Sequence, residues 1–279
     1  MPESWQWDKT LFLGSAPYYG RGRLPYAPGL AKRLVQILAL DGRGRLIDVG
    51  CGPGILTLTL AHHFAEVVGI DPDPGMLAEA ARRAETAGVG NARWVRARGE
   101  DLPAGLGIFR VATFAQSFHW MDRTHVAAIV FDMLESGGAF VQISDVKEAR
   151  AATDDLPYPR PPRDAINELV RRYLGPLRRA GQGALPHGTP DDEAAVLGGA
   201  GFTSPERVRV PAGEVRVRTA DDVVAWVYSL SRSAPHLFEE RGDEFETDLR
   251  RLLHDASPSD RFAEQAPDTE VFVWRTPER

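Results

Sequence analysis

The first half of the chain alternates short apolar segments typical of β-strands with segments whose apolar residues recur at helical spacing. Such alternation is typical of successive βαβ units, in which parallel strands form one sheet and helices cover its faces. The predicted strands are residues 45–49, 66–70, 92–96, 111–115 and 139–144. Five strands this early in the chain predict an α/β fold with an open, doubly wound and mainly parallel sheet.

Helices are predicted between these strands. Residues 55–64 carry apolar side chains at helical spacing, and Pro74 fits the first turn of a helix that ends near residue 87. Asp122 is a predicted cap for a helix that runs to residue 134 and is closed by Gly137 and Gly138.

The sequence changes character after residue 150, where prolines cluster and a helix with one apolar stripe is predicted from residue 164 to about 180. Helices near 193–201, 221–231 and 243–254 follow, and segments 208–217 and 270–274 supply two further strands. We therefore predict one domain over residues 1–279, a Rossmann-like sheet of seven strands, and an inserted helical lid over residues 150–188.

Composition narrows the classes of function. The 279 residues are 43% hydrophobic and 26% charged, which is typical of an ordinary globular protein. The sequence contains no long apolar run and no signal-peptide pattern, so a cytoplasmic protein that does not bind membranes is predicted. The single cysteine, Cys51, excludes an internal disulfide, and no metal site is predicted. A formal charge of −6 argues against nucleic-acid binding and favours a small-molecule partner, with a monomer or a homodimer both open.

A glycine-rich turn follows the first predicted strand, in the sequence Leu-Ile-Asp-Val-Gly-Cys-Gly-Pro-Gly-Ile at residues 46–55. Glycine lets a ligand approach the end of a strand closely and tolerates positive φ in a tight turn. A dinucleotide fingerprint requires G-x-G-x-x-G, but the sixth position counted from Gly50 is Ile55. This mismatch opposes a nicotinamide oxidoreductase, and a glycine turn without a ligand remains an alternative.

The same turn, with Asp48 two residues before its first glycine, resembles motif I of the class I S-adenosylmethionine-dependent methyltransferases, D-x-G-x-G-x-G. Within that family, the resemblance is to the small-molecule enzymes of the type 11 and trans-aconitate methyltransferase kind. It implies that S-adenosylmethionine is the cofactor and that Asp48, Gly50, Cys51 and Gly52 belong to its binding site.

Asp71 ends the second predicted strand about twenty residues after the glycine turn, where a carboxylate can accept hydrogen bonds from both ribose hydroxyls of a nucleoside. A helix cap is the alternative role for such a residue. Residues 71–77 resemble the family sequence D-x-S-x-x-M-L, which implies that Pro72 and Met76 contact the cofactor, with Met76 on the adenine. Pro74 is expected to replace the usual serine cap, so that the capping hydrogen bond is lost.

Residues 98–103 resemble the family sequence G-D-A-E-x-L-P, which meets the adenine. Arg98 stands where the family has an aspartate, and a guanidinium cannot accept a hydrogen bond. The resemblance therefore implies that Gly99 borders the adenine and that Glu100 or Asp101 accepts from its amine. A solvated turn is the alternative.

Residues 114–122 resemble the A-x-x-F-H-W-x-D segment of small-molecule methyltransferases. In that family the segment borders the methionine part of the cofactor, which implies binding roles for Gln116 and Phe118. His119 is a candidate general base, because an unperturbed histidine pKa near 6.5 suits proton removal at neutral pH. The alternative is that His119 and Trp120 only pack at the cavity.

Residues 18–26 resemble the Y-x-x-x-R-P-x-Y-P segment of the same relatives, which implies that Tyr19 and Arg23 close over the cofactor. Together these resemblances imply methyl transfer from S-adenosylmethionine to a small molecule, with O-methylation of a metabolite or natural product of secondary metabolism expected. A cyclase that binds the same cofactor, or a cofactor-binding protein without catalysis, is the alternative. The arginines of residues 160–179 are not assigned to an anionic substrate.

Overall fold

The computed structural model describes residues 8–146, 156–176 and 192–278. Its strands are β1 (Arg45–Val49), β2 (Glu66–Asp71), β3 (Ala92–Arg96), β4 (Phe109–Ala115), β5 (Leu134–Asp145), β6 (Glu206–Val210), β7 (Val215–Thr219), β8 (Arg261–Gln265) and β9 (Thr269–Arg275). Its α-helices are α1 (Ala16–Gly22), α2 (Leu30–Ile37), α3 (Ile55–Leu60), α4 (Pro74–Thr86), α5 (Arg123–Asp132), α6 (Arg163–Leu174), α7 (Glu193–Gly199), α8 (Ala220–Tyr228) and α9 (Gly242–Ala256).

Seven strands form one sheet in the order β3-β2-β1-β4-β5-β9-β6. Strands β1 to β5 are parallel to one another, and β9 runs antiparallel between β5 and β6. The predicted α/β fold with a mainly parallel, seven-stranded Rossmann-like sheet is therefore confirmed. The strand order reverses between β1 and β4, which is where ligands bind in open sheets of this kind.

Both faces of the sheet are covered by apolar side chains, because side chains of a strand alternate between its faces. In β1, Ile47 and Val49 join the apolar cluster on one face, whereas Leu46 joins the cluster on the other. Phe114, Phe118 and Phe140 pack together on the first face with ring centroids 4.3–5.1 Å apart. The buried strands hold the loops at their carboxyl ends in fixed positions.

Segment 208–217, predicted as one strand, is divided between β6 and β7. Pro211, which lacks an amide donor, and Gly213, at φ +73°, lie in the turn between them. Strand β7 leaves the main sheet and pairs with β8, a strand that the sequence analysis missed. The prediction of a single strand was therefore wrong.

Several helix ends also differ from the prediction. Helix α5 ends at Asp132, and Gly137 and Gly138 lie within β5 instead of closing the helix. Helix α3 ends at Leu60 and continues only as a 3-10 turn over Ala61–His63. In α6 the regular helix ends at Leu174, and residues 177–191 lie outside the described part of the chain.

The described part of the predicted lid, residues 156–176, contains α6, whose apolar side chains pack in a cluster separate from the two that cover the main sheet. Ile166 and Leu169 of α6 are buried against Val223 of α8 and Phe245 of α9, in a third apolar cluster. The predicted apolar stripe of α6 thus has a packing partner. The rest of the predicted lid lies outside the described residues, and its role stays a prediction.

Within residues 8–146, 156–176 and 192–278, no helix is long and apolar enough to cross a membrane. The same residues contain no group of three or more histidine, cysteine, aspartate or glutamate side chains that could hold a metal ion.

Candidate cofactor-binding site

A cleft opens at the carboxyl ends of β1, β2 and β4 and encloses about 760 Å³ of atom-free space, its open mouth included. Its lining residues come from the N-terminal segment, the glycine turn, the end of β2, the loop after β3 and the end of β4. They are Lys9, Leu11, Phe12, Tyr19, Gly50, Gly52, Asp71, Pro72, Asp73, Met76, Arg98, Gly99, Glu100, Ala115, Gln116, Ser117, Trp120 and Met121.

The glycine turn between β1 and α3 forms the floor of this cleft. Gly50, Gly52 and Gly54 all have positive φ, at +70°, +53° and +74°. A Cβ at Gly50 would lie 2.6 Å from the Cβ of Ser117, so the turn is packed against the end of β4. A Cβ at Gly52 would meet no protein atom within 4 Å and would project into open space. The backbone at Gly52 is therefore a cradle that a side chain would fill.

Asp71 is the last residue of β2 and lines the cleft beside this cradle. Its Oδ2 accepts a hydrogen bond of 2.9 Å from the amide of Gly52, and its Oδ1 accepts one of 2.9 Å from the amide of Asp73. Burial raises the pKa of Asp71 to about 6, and the two amide hydrogen bonds only partly offset this effect. An ionised carboxylate has about four lone-pair positions, so two remain for a ligand.

The N-terminus of α4 carries Met76 into the cleft, where the side chain is buried. Asp73 caps this helix, since its Oδ1 accepts hydrogen bonds from the amides of Gly75 at 2.7 Å and Met76 at 3.0 Å. The expectation that Pro74 removes the cap was wrong. Pro74 occupies the first turn, where no amide donor is needed, and the residue before it supplies the acceptor.

The two candidate adenine acceptors in the loop after β3, Glu100 and Asp101, differ in their position relative to the cleft. Asp101 does not line the cleft, because both of its carboxylate oxygens bind the guanidinium of Arg98, at 3.0 and 2.6 Å. Glu100 lines the cleft and accepts a hydrogen bond of 2.9 Å from the amide of Asp122. Gly99, the residue before Glu100, is buried and borders the cleft. Of the two acids, the structure therefore places only Glu100 at the cavity.

The end of β4 contributes Gln116, whose backbone φ of +56° is uncommon outside glycine. Ser117 donates a hydrogen bond of 2.5 Å to the carbonyl of Val49, which joins β4 to the glycine turn. Phe118 does not line the cleft, because its ring packs in the core of the sheet. His119 is half-buried and also lies outside the lining, with its ring 4.7 Å from that of Trp120.

Two residues predicted from motif I point away from the cleft. The carboxylate of Asp48 is buried and accepts hydrogen bonds from Thr57 at 2.5 Å and Thr113 at 2.8 Å, so it ties β1 to α3 and β4. Cys51 is buried, and its Sγ would lie 2.9 Å from a Cβ at Gly69 of β2. Both side chains support the turn from inside the fold instead of facing a ligand.

Tyr19 of α1 lines the cleft, and the guanidinium of Arg23 lies 4.9 Å from the centre of its ring. Arg23 Nη2 donates a hydrogen bond of 2.9 Å to the carbonyl of Ser229. Arg23 Nε is buried and has no hydrogen-bond partner among the described residues. Arg23 itself is not a lining residue, but this donor is available beside the cleft.

Three apolar residues of the cleft wall, Leu11, Phe12 and Met121, were not predicted from the sequence. Leu11 and Phe12 lie in a turn before α1, and the Phe12 ring meets Trp120 edge to face at 5.9 Å. Met121 adds to the same wall. A short apolar run in the N-terminal segment was the available signal, but nothing in its spacing links it to a site more than 100 residues later.

The residues present fit S-adenosylmethionine. Gly52 leaves room for a ligand at the end of β1, and the spare lone pairs of Asp71 can accept two hydroxyl hydrogen bonds. Met76 and Gly99 offer an apolar and close backbone surface for a flat base. Tyr19 of the cleft wall lies under the guanidinium of Arg23, whose buried Nε has no hydrogen-bond partner among the described residues.

Comparison with known proteins gives matches over the same part of the chain. A family described as a methyltransferase domain matches residues 46–138. A probable S-adenosylmethionine-dependent methyltransferase of Saccharomyces cerevisiae is 32% identical over 140 residues, which cover 47% of this chain and 47% of that protein. The demethylmenaquinone methyltransferase of Thermus thermophilus is 30% identical over 190 residues, which cover 62% of this chain and 80% of the relative.

Among solved structures, the cyclase SpnF has a similar fold, with a TM-score of 0.54 and 18% identity over 92% of this chain and 84% of the cyclase. This level of identity shows a common fold and no more. The chain spans about half the length of the first curated relatives that it matches.

Proposed function

Since the chain belongs to the S-adenosylmethionine-dependent methyltransferases, we propose that it binds S-adenosylmethionine in the cleft and catalyses methyl transfer to a small molecule. The proposed reaction is O-methylation of a metabolite or natural product. One observation carries the proposal: Gly52, which has open space beside it, donates its amide hydrogen bond to Asp71. The carboxylate of Asp71 can still accept hydrogen bonds from a ligand in that space.

S-adenosylmethionine supplies a methyl group on a positively charged sulfur, so the methyl group is already activated for transfer. The protein then has to align the acceptor and to exclude water, and alignment alone can supply roughly 7–11 kcal/mol. The wall formed by Leu11, Phe12, Trp120 and Met121 is apolar and suits the exclusion of water.

His119 has less support as the general base than the sequence motif suggested. Its ring lies outside the lining of the cleft and packs beside Trp120, which does line the cleft. A proton acceptor must come within hydrogen-bond distance of the proton that it removes. The contact favours the packing alternative, in which His119 fixes the position of Trp120.

Calorimetric titration with S-adenosylhomocysteine, the demethylated cofactor, tests cofactor binding. The proposal requires measurable binding by the wild-type chain, a clear loss in Asp71→Ala, and no binding of NAD. Asp41→Ala is the matched control, because Asp41 is an exposed carboxylate that pairs with Arg110 far from the cleft. Equal affinity of Asp71→Ala and the wild type would refute the proposed site.

Incubation with methyl-labelled cofactor and a panel of alcohols, phenols, amines and acids tests catalysis. Label in a panel compound supports methyl transfer. If the chain binds the cofactor and label never leaves it while a compound rearranges, the function is that of a cyclase. If neither event occurs with any compound, a cofactor-binding protein without catalysis is the better interpretation.

A further inference from the structure

A row of four residues crosses the sheet on the face that carries α3, with one residue from each of β3, β2, β1 and β4. In register these residues are Trp94, Gly69, Asp48 and Thr113. Residues directly opposite each other on neighbouring strands lie on the same face of a sheet. Asp48 joins this row to α3, because its carboxylate accepts hydrogen bonds from Thr57 and Thr113. Trp94 and Gly69 form the other end of the row, since β3 is the edge strand of the sheet.

The half-buried indole of Trp94 covers Gly69 and reaches the glycine turn. A Cβ at Gly69 would lie 2.5 Å from Cζ3 of the indole, so the ring occupies the place of a side chain on β2. A Cβ at Gly54 would lie 2.6 Å from Cη2 of the same ring and 3.2 Å from the Cβ of Ala80 of α4. The six-membered ring of the indole therefore lies against the backbone of both β2 and the turn.

The glycine turn needs contacts of this kind, because glycine has more conformational freedom than any other residue. The end of β4 packs closely at Gly50, and Asp71 accepts a hydrogen bond from the amide of Gly52. Gly54 has φ +74° and lies where the turn passes into α3, and its contact is with Trp94. A binding site works only when supporting contacts hold it to within about 0.5 Å.

We propose that Trp94 is a positioning residue for the cofactor. It fixes the Gly54 end of the turn and so keeps the cradle at Gly52 in the shape that accepts a ligand. Trp94 does not line the cleft, so it acts through the turn and not by contact with the ligand. This inference rests on the proposed function, in which S-adenosylmethionine occupies the cleft.

The variants test whether the indole and a side chain at position 69 compete for one space. Trp94→Ala removes the ring, and Gly69→Ala inserts a Cβ at the point that the ring occupies. The double variant combines both changes, and Trp94→Phe removes only the six-membered ring of the indole. Phe272→Ala is the control, because Phe272 is a half-buried aromatic residue on β9 of the same sheet and does not line the cleft.

Two quantities are measured for each variant. Calorimetric titration gives the affinity for S-adenosylhomocysteine. The rate of reaction with dithiobis(nitrobenzoate), a thiol reagent, shows how often the turn opens, because Cys51 is buried in the turn and is the single cysteine of the chain. The Phe272→Ala control measures how much a general loss of stability contributes to either quantity.

Trp94→Ala is expected to weaken S-adenosylhomocysteine binding and to speed the reaction of Cys51, each by about tenfold or more. Trp94→Phe should weaken binding by about threefold or more, because the ring that reaches Gly54 is lost. Gly69→Ala should weaken binding while the indole is present and change it by less than about twofold in the Trp94→Ala background. Phe272→Ala should leave both quantities within about twofold of the wild type.

Three outcomes would overturn the inference: wild-type affinity in both Trp94 variants, an equal loss of affinity in Phe272→Ala, or the same effect of Gly69→Ala with and without the indole. If Trp94→Ala does not fold, Trp94→Phe decides by its affinity and by its Cys51 rate. Failure of the wild type to bind S-adenosylhomocysteine refutes the proposed function instead, while the Cys51 rates still show whether Trp94 holds the turn.

Discussion

The carboxylate of Asp71 should make cofactor binding depend on pH. Burial raises its pKa to about 6, and only the ionised form can accept hydrogen bonds from two hydroxyls with both oxygens. Affinity therefore scales with the ionised fraction and should be about tenfold weaker at pH 5 than at pH 7. Calorimetric titration with S-adenosylhomocysteine across this range measures the effect.

The matched variants separate Asp71 from other titrating groups. Asp71→Asn should bind weakly at every pH and show no change between pH 5 and pH 7, whereas Asp41→Asn should keep the wild-type profile. A profile that persists in Asp71→Asn would assign the titration to another group and contradict the prediction.

Gly52→Ala tests whether the open space at the glycine turn belongs to a ligand. A side chain at φ +53° costs about 1–2 kcal/mol of stability, and its Cβ would enter the cleft. We expect S-adenosylhomocysteine affinity to fall by about tenfold or more, equivalent to at least 1.4 kcal/mol. Gly88→Ala is the control, since Gly88 has φ +66°, equally open surroundings and no place in the cleft. Equal affinities of the two variants would contradict the prediction.

For single residues, the sequence predicted the position in the fold better than the direction in which the side chain points. Gly52, Asp71 and Glu100 line the cleft because each lies at or after the carboxyl end of a parallel strand, and these ends meet at one edge of the sheet. Phe118 and Asp48 lie in equally good motifs, yet their side chains face the core. Spacing along a motif does not determine which way a side chain turns after a strand ends.

The N-terminus of α4 is the element that links stability to the cofactor site. Asp73→Ala removes a cap with two hydrogen bonds and should lower the free energy of unfolding by about 1 kcal/mol. It should also weaken S-adenosylhomocysteine binding, because the same helix end carries Asp73 and Met76 into the cleft.

Asp122→Ala provides the control for this helix cap. Asp122 caps α5, since its Oδ1 accepts a hydrogen bond of 3.1 Å from the amide of His125, and it does not line the cleft. Urea unfolding should show a similar loss of stability in both variants, with a loss of cofactor affinity only in Asp73→Ala. Unchanged affinity in Asp73→Ala would separate the helix end from the site.

A helix or strand could be predicted when the sequence pattern that specifies it is local. Strands β1, β2, β4 and β5 were found because each contains a short apolar run beside turn residues. Strand β8 was missed, since its Arg-Phe-Ala-Glu-Gln sequence has no clear alternation and its partner β7 is charged and exposed. Its pairing depends on contacts that no local window contains.

At the scale of the whole molecule, a buried ion pair between β7 and β8 also holds the N-terminal segment in place. Arg218 on β7 binds Glu264 on β8 at 3.1 Å, and their side chains are only 6% and 8% exposed. Arg218 Nη2 also donates to the carbonyls of Gly22 at 2.9 Å and Asp222 at 2.6 Å. The end of α1, which carries Tyr19 into the cleft, is thus held by a residue 196 positions away from Gly22 in sequence.

This arrangement could not be predicted from the sequence, because Arg218 stands in the strand Val-Arg-Val-Arg-Thr, where nothing distinguishes it from the exposed Arg216. Burial of one arginine in such a segment results from the packing of α1 against α8. A Cβ at Gly22 would lie 2.4 Å from the carbonyl oxygen of Ala225, so the two helices approach at backbone distance.

Arg218→Met should therefore be strongly destabilising. It leaves two carbonyls without their donor and leaves the buried carboxylate of Glu264 with Arg163 as its remaining partner, so we expect a loss of about 3 kcal/mol in urea unfolding. Arg216→Met, two residues earlier on the same strand, breaks only an exposed pair with Glu214 and should cost about 1 kcal/mol or less. Equal stability of the two variants would show that the buried pair does not hold the N-terminal segment in place. A selective loss in Arg218→Met, accompanied by weaker S-adenosylhomocysteine binding, would show that the cleft depends on contacts between the two ends of the chain.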